Sequence, residues 1–202
     1  MTRRPRRLRT PLLIALGAVS LSACVSFGAK PPPFLLTLDA DAAPTTGQAR
    51  TAADAATMTI LIPSAPQKLR TVRIPVQQGA GSVAYVKDAQ WVEAPSRLFQ
   101  RLLSETVSAR TSRVILDEGQ YLTAPGEQLA GQLMEFGIDE RTNEAVVVYQ
   151  AMLVSTAGKS VTQRRFEARE ALGGKVEAKT AGAALTRAAN KVAADVAGWL
   201  GT

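Results

Sequence analysis

Few residues of this chain can do covalent or metal chemistry. It has one cysteine, Cys24, and no histidine among its 202 residues. Thiolate catalysis, Ser-His-Asp triads and Cys/His metal sites all depend on these two side chains. Once Cys24 is used for another purpose, the remainder of the chain has neither of them.

The acidic and glycine-rich stretches give little further indication of a catalytic or nucleotide-binding site. Two carboxylate pairs come closest to an acid–base arrangement: Asp39 with Asp41, and Asp139 with Glu140. Both lie at segment ends, where acidic side chains usually solvate turns. Residues 79–84, GAGSVA, have the spacing of a dinucleotide loop, but that loop must lead into a helix and a strand-like stretch follows here. We predict a turn there, and for the chain no catalytic residue, cofactor, metal or enzyme activity.

The first 23 residues have the layout of an export signal. Five arginines fall in the first nine residues, an apolar run follows at 12–21, and Ser22 and Ala23 precede Cys24. A basic start, an apolar middle and small residues are typical of a secretory signal peptide. The apolar run is too short to cross a hydrocarbon core, which needs about 20 residues. The alternative, a buried helix at the start of a domain, fits poorly with five arginines before it.

Leu21, Ser22, Ala23 and Cys24 resemble the lipobox of bacterial lipoprotein signals: Leu, then Ser or Ala, then Gly or Ala, then Cys. The resemblance implies that signal peptidase recognises the three residues before Cys24 and cleaves after Ala23. It also implies a diacylglycerol on the thiol of Cys24 and an acyl chain, such as palmitate, on its amine. Two or three acyl chains anchor a protein stably, whereas one alone is marginal.

The residues directly after Cys24 indicate in which membrane a lipoprotein is retained. In Gram-negative lipoproteins an Asp at that position tends to retain the protein at the inner membrane, but here Val25 and Ser26 follow. The resemblance therefore implies the periplasmic face of the outer membrane. The basic start leaves both the Sec and the twin-arginine export routes open.

The basic character of the chain belongs to the leader. The formal net charge is +7, but residues 1–23 hold five arginines and no acidic residue. The remainder has 19 basic and 17 acidic side chains, a net charge of +2. A basic domain is the electrostatic footprint of nucleic-acid binding, so we predict no nucleic-acid partner.

The mature chain divides into a tether and one domain. Residues 24–33 end in three prolines, which favour an extended spacer between the membrane and the domain. Residues 34–202 are predicted to form a single α+β periplasmic domain. Within it, residues 39–56 are small and polar, and we expect a flexible loop there.

Hydrophobic periodicity assigns the elements of the domain. Apolar residues at three- and four-residue steps predict amphipathic helices at 95–110, with Pro95 as first residue, and at 180–200, with Thr180 as a cap. Strands are predicted at 34–38, 57–63, 70–76, 82–88, 112–118, 128–140, 144–155 and 159–172. The third and fourth suit a hairpin, and the last three an antiparallel meander with 144–155 in its centre. The predicted class is α+β: a mixed, mainly antiparallel sheet with two amphipathic helices packed on one face.

Three residues are candidates for contact with a partner. Trp91 falls in a predicted connector between strand and helix, where it either fills the core, which we favour, or serves a contact. Arg164 and Arg165, together with Arg169 of the same predicted strand, can meet an anionic lipid headgroup or an acidic partner, or they lie on a solvated strand face, which is the more common case.

Three stretches of the mature chain have a distinctive order of residues: 31–40, 83–107 and 115–136. The second has a Tyr, a Trp with a following acidic residue and Pro, and a Leu-rich predicted helix, here at Tyr85, Trp91, Glu93, Pro95, Leu98 and Leu102. In these stretches the chain resembles the family of ABC-type transport auxiliary lipoproteins. Leu35 and Leu36 depart from it, because aromatic residues are common there in the family.

The resemblance implies a non-enzymatic role beside a lipid transporter. The expected partners are a substrate-binding protein of the MCE (mammalian-cell-entry) class, its permease and its ATPase, with the membrane engaged through the lipid anchor. Direct binding of phospholipid and assembly as a homo-oligomer are left open. The alternative is another outer-membrane lipoprotein that serves envelope assembly or integrity.

Overall fold

The computed structural model describes residues 34–47, 49–51, 57–79, 81–116, 126–156, 158 and 160–201. The predicted signal peptide, Cys24 and the tether lie outside these ranges, as does part of the predicted loop at 39–56. The described residues of that loop, 39–47 and 49–51, contain no helix or strand. Its flexibility stays a prediction.

Eight strands and two helices follow one another in the described ranges. The strands are β1 (Phe34–Leu36), β2 (Thr57–Ile60), β3 (Arg73–Gln78), β4 (Ser82–Trp91), β5 (Val114–Leu116), β6 (Glu127–Asp139), β7 (Glu144–Val154) and β8 (Val161–Ala171). The helices are α1 (Pro95–Arg110) and α2 (Ala178–Leu200), and a short 3₁₀ turn covers Gln67–Leu69. The predicted α+β class is confirmed.

All eight strands belong to one mixed sheet. β6, β7 and β8 form the predicted antiparallel meander, with β7 in its centre. The other edge of β6 is shared, because β2 pairs with its first residues and β3 with its last, both in parallel. β4 runs antiparallel to β3, as the predicted hairpin requires, while β1 and β5 join in parallel to β4 and β2.

Both helices pack on the same face of this sheet. α1 has the predicted bounds, and its apolar lines at Leu98 and Leu102, and at Phe99 and Leu103, are buried. α2 contributes an Ala-rich buried face that contacts β7, β8 and α1. Among the described residues, no helix combines the length and the apolar character that crossing a membrane needs.

The start of α2 differs from the prediction. The helix begins at Ala178, with Glu177 as its N-cap, and Thr180 is the third helical residue. Thr180 Oγ1 accepts a hydrogen bond from the backbone N–H of Glu177 at 3.2 Å, and the Glu177 carboxylate accepts from the N–H of Thr180. This reciprocal pair is a capping box with an acidic cap. The prediction that Thr180 caps the helix was therefore wrong in position, because Thr180 lies inside the helix and Glu177 is the N-cap.

A buried polar side chain ties the segment after β1 to α2. Asn190, which is 5% exposed, accepts a hydrogen bond from the backbone N–H of Asp41 at 2.8 Å. Its amide also donates to the carbonyls of Asp39 and Thr186, at 2.9 and 3.0 Å. The start of the domain is therefore fixed to α2 by satisfied hydrogen bonds.

Candidate docking surface

Trp91 belongs to the core. It is 1% exposed, and its ring meets that of Phe136 edge-on, with centroids 5.6 Å apart. The sequence placed it in a connector after residue 88, but β4 continues through a bulge at Asp88, whose φ is 55°, to end at Trp91. The backbone N–H of Trp91 then donates to the carbonyl of Val72 at 2.7 Å. In this position the ring fills the interior and offers no surface to a partner.

Arg164 and Arg165 point to opposite faces of the sheet. Successive side chains of a strand alternate between faces, and on β8 Phe166 and Ala168 are buried on the helix face. Arg164 shares that face, whereas Arg165 lies on the open face that no helix covers in the described part of the chain. Both residues nevertheless line one groove, which lies along the outer edge of β8.

On the helix face, Arg164 borders a groove between β8 and α2. Its guanidinium lies 5.2 Å from the ring centroid of Phe166, and that ring packs against Trp199 at 5.7 Å. The groove has a volume of about 590 Å³, and the small residues Ala194 and Gly198 line its helical wall. This groove runs along the outer edge of β8.

On the open face, residues of β3, β4, β6, β7 and β8 line a shallow hollow of about 430 Å³. Its apolar part comes from Pro75 of β3, Val83 of β4, Gly137 of β6 and Val146 of β7. Gly137 allows β3 and β6 to approach closely, because a Cβ there would lie 2.6 Å from the carbonyl oxygen of Pro75. Val83 is 41% exposed, so its side chain is available at the rim.

Charged side chains flank the hollow at two places. At one, Lys68 Nζ lies 2.5 Å from Glu135 Oε2. At the other, Arg169 lies 2.9 Å from Glu167, 3.5 Å from Glu144 and 3.6 Å from Asp139. Arg169 is thereby held by three carboxylates from β6, β7 and β8.

The electrostatics keep these groups charged. The hydrogen bond with Glu167 raises the pKa of Arg169, against the effect of burial, with further support from the charges of Glu167 and Glu144. Burial alone would raise the pKa of Asp139, but hydrogen bonds from the backbone N–H groups of Thr142 and Arg141 hold it below its ordinary value, helped by the charge of Arg141 and by Arg169. Fixed charges around an apolar patch suit recognition of a partner surface.

Sequence reasoning did not find the hollow. It named Asp139 only as a turn residue, and it grouped Arg169 with the other two arginines of β8. The one available indication was Gly137 inside a strand, which often marks a close approach of backbone. In the described ranges, no group of three or more His, Cys, Asp or Glu side chains is placed to hold a metal ion.

Comparison with known proteins decides the family. The profile of the family described as "ABC-type transport auxiliary lipoprotein component" matches residues 36–197. The chain belongs to this family. Membership confirms the resemblance found in the sequence, and it places the protein among lipoproteins of the cell envelope that are associated with ABC-type transport.

Solved structures share the fold at low identity. A protein from Xanthomonas campestris of the DUF330 family is 15% identical, with a TM-score of 0.66 over 82% of this chain and 93% of its own. A structure described as an uncharacterized protein is 12% identical, with a TM-score of 0.62 over 71% of this chain and 91% of its own. No curated protein matches the sequence. The two structures show that this transport auxiliary lipoprotein shares its fold with proteins of known structure.

Proposed function

We propose that this chain is a membrane-anchored periplasmic lipoprotein that acts as a non-enzymatic docking component of an MCE-type lipid transport system. The family match over residues 36–197 is the observation that carries the proposal. The ATPase subunit would supply the ATP chemistry, and the permease and the MCE protein would handle the lipid. The task of this chain would be to hold its partner at a membrane.

The anchor in this proposal is Cys24, with a diacylglycerol on its thiol and an acyl chain on its amine. Ten residues, the length of the proposed tether 24–33, could span at most about 30 Å at the roughly 3.1 Å per residue of polyproline geometry. Val25 rather than Asp follows Cys24, which supports the periplasmic face of the outer membrane as the destination.

The hollow on the open face is the surface that we assign to the MCE protein. Protein interfaces combine an apolar, well-packed centre with a polar rim, and the hollow has Val83 and Val146 between charged groups. The charges of Arg169 and Lys68 are already oriented by their carboxylate partners, so they need little reordering when a partner arrives. We expect an apolar side chain of the MCE protein to enter the hollow.

Co-purification tests the proposal. The full chain with a C-terminal tag is isolated from detergent-solubilised envelopes, and its partners are identified by mass spectrometry. The proposal predicts the MCE protein, with its permease and ATPase, at the same level as the tagged chain. Recovery of the acylated chain in good yield without any of these subunits would contradict it.

A further inference from the structure

β8 has an edge that no other described strand uses. It pairs with β7 along one side over its whole length, Val161 to Ala171. The other strands at the sheet's margins, β1 and β5, have three residues each, so β8 offers eleven residues where they offer three. A long free edge is a template for pairing with another chain.

The residues of β8 are self-complementary about the strand's midpoint. Phe166 is the central residue of the eleven. If a second copy pairs antiparallel about Phe166, Arg165 stands opposite Glu167 of the second copy, and Glu167 opposite its Arg165. Gln163 then faces Arg169, and Thr162 faces Glu170. Directly opposite residues of opposite charge stabilise an antiparallel pair.

Neighbouring registers lose this match. A shift that centres the pairing on Arg165 places Arg165 against itself, and one that centres it on Glu167 places Glu167 against itself and Arg165 against Arg169. Each of these registers also shortens the overlap. Of these three registers, the one with the longest overlap is therefore also the only one in which no like charges meet.

The residues on both faces of β8 are compatible with the register centred on Phe166. On the open face, the exposed Val161, at 56%, comes to lie opposite Ala171 of the second copy. On the helix face the two Phe166 rings meet at the two-fold axis, beside the grooves that Ala194 and Gly198 line. Arg187 already donates to the carbonyl of Ala171 at 2.8 Å, so the new hydrogen-bond ladder covers the central residues rather than the strand's ends.

We propose that two copies of this chain associate through their β8 strands, antiparallel and centred on Phe166, to form one continuous sheet across a two-fold axis. The contact is isologous, so it closes on itself as a dimer. It leaves the hollow of each copy open, and it does not depend on the docking function proposed above.

Disulfide trapping in the full acylated chain tests the register. Gln163→Cys with Arg169→Cys places each new thiol opposite its counterpart in the second copy. Opposed Cα atoms of an antiparallel pair lie about 4.5–5.5 Å apart, within disulfide range. Inside one chain the two positions are about 20 Å apart, which excludes an internal bond. We expect a covalent dimer after mild oxidation of the envelope. Thr162→Cys with Glu170→Cys tests the same register at the neighbouring positions. Opposed residues alternate between hydrogen-bonded and non-hydrogen-bonded pairs along an antiparallel ladder, so the two designs sample both kinds of pair.

The controls separate this register from random contact. Gln163→Cys with Glu167→Cys would be opposed only in the register centred on Arg165, and the wild-type chain carries no thiol besides Cys24. Both should yield monomer. A covalent dimer from these controls at the level of the designed pairs, or monomer from both designed pairs, would overturn the proposal.

Charge reversal gives an independent measurement. Arg165→Glu alone and Glu167→Arg alone place like charges opposite each other at two points, so each should lower the yield of the trapped dimer about tenfold. The double reversal restores opposite charges and should recover the wild-type yield. A double variant as weak as the single ones would contradict pairing about Phe166.

Discussion

At the scale of single residues, the charges around the open-face hollow are fixed by hydrogen bonds rather than left to solvent. Arg169 is held by Glu167, Glu144 and Asp139, and Asp139 also accepts from the N–H of Arg141 at 3.1 Å. Such pre-oriented groups add specificity to an interface at small entropic cost.

Asp139→Asn tests this arrangement through pH. The folded pKa of Asp139 lies below its ordinary value of 3.8. Its carboxylate therefore contributes stability fully above that value, and this contribution is lost as the pH falls through the folded pKa. The variant should be less stable by about 1 kcal/mol at pH 7, and the difference from wild type should shrink as the pH falls to 2. Urea unfolding at both pH values measures this; an equal loss at both would contradict the charge argument.

Trp91 should matter for stability rather than for contact. Trp91→Ala removes a large side chain from the core and should cost about 3–5 kcal/mol. Trp91→Phe should cost clearly less, because it keeps a ring near Phe136 and removes an indole N–H that has no hydrogen-bond partner among the described residues. Urea unfolding measures both. A Trp91→Ala protein as stable as wild type would show that the ring lies outside the core.

At the scale of elements, most local structure follows from local sequence patterns, whereas the pairing of distant segments does not. The bounds of α1 and the β6–β7–β8 meander follow from periodicity and short turns. The sharing of β6 by β2 and β3, and the parallel pairing of β1 with β4, join segments that are far apart in sequence, and no local pattern specifies them. The hollow is lined by β3, β4, β6, β7 and β8, so it could not be predicted without the order of the strands in the sheet.

Two local features were missed for other reasons. β4 passes through a bulge at Asp88, a residue in the left-handed region, and alternation cannot be followed across such an irregularity. At α2, Glu177 and Thr180 both qualify as capping residues, and the sequence does not show which of them stands outside the helix. The burial of Trp91, in contrast, agrees with the interpretation that the sequence favoured.

The junction between β3 and β6 can be tested at Gly137. In Gly137→Ala the new Cβ would lie 2.6 Å from the carbonyl oxygen of Pro75, so the backbones must separate, and the loss of stability should be about 1–3 kcal/mol. Gly81→Ala is the matched control, because a Cβ there meets no atom within 4 Å. Thermal unfolding compares the two, and equal effects would contradict the close approach.

At the scale of the whole molecule, the lipid anchor that we propose at Cys24 would set where the domain acts. Cys24→Ala removes the only acylation site that the sequence offers. If the chain is anchored as we propose, the variant should lose its acylated, membrane-bound form and persist as unprocessed precursor or as an unacylated chain. Fractionation with metabolic labelling by a palmitate analogue measures this. A Cys24→Ala protein that still carries label in the membrane fraction would contradict the lipidation proposal.

The central claim is that this transport auxiliary lipoprotein docks an MCE protein through the open-face hollow. The most direct measurement is the dissociation constant of the MCE protein for wild type, Val83→Glu and Val92→Glu. Val83 lines the hollow, whereas Val92 does not, and the two are similarly exposed, at 41% and 48%. Val83→Glu should weaken binding at least about tenfold, with Val92→Glu unchanged. Equal affinities for all three proteins, or no binding by wild type, would contradict the account.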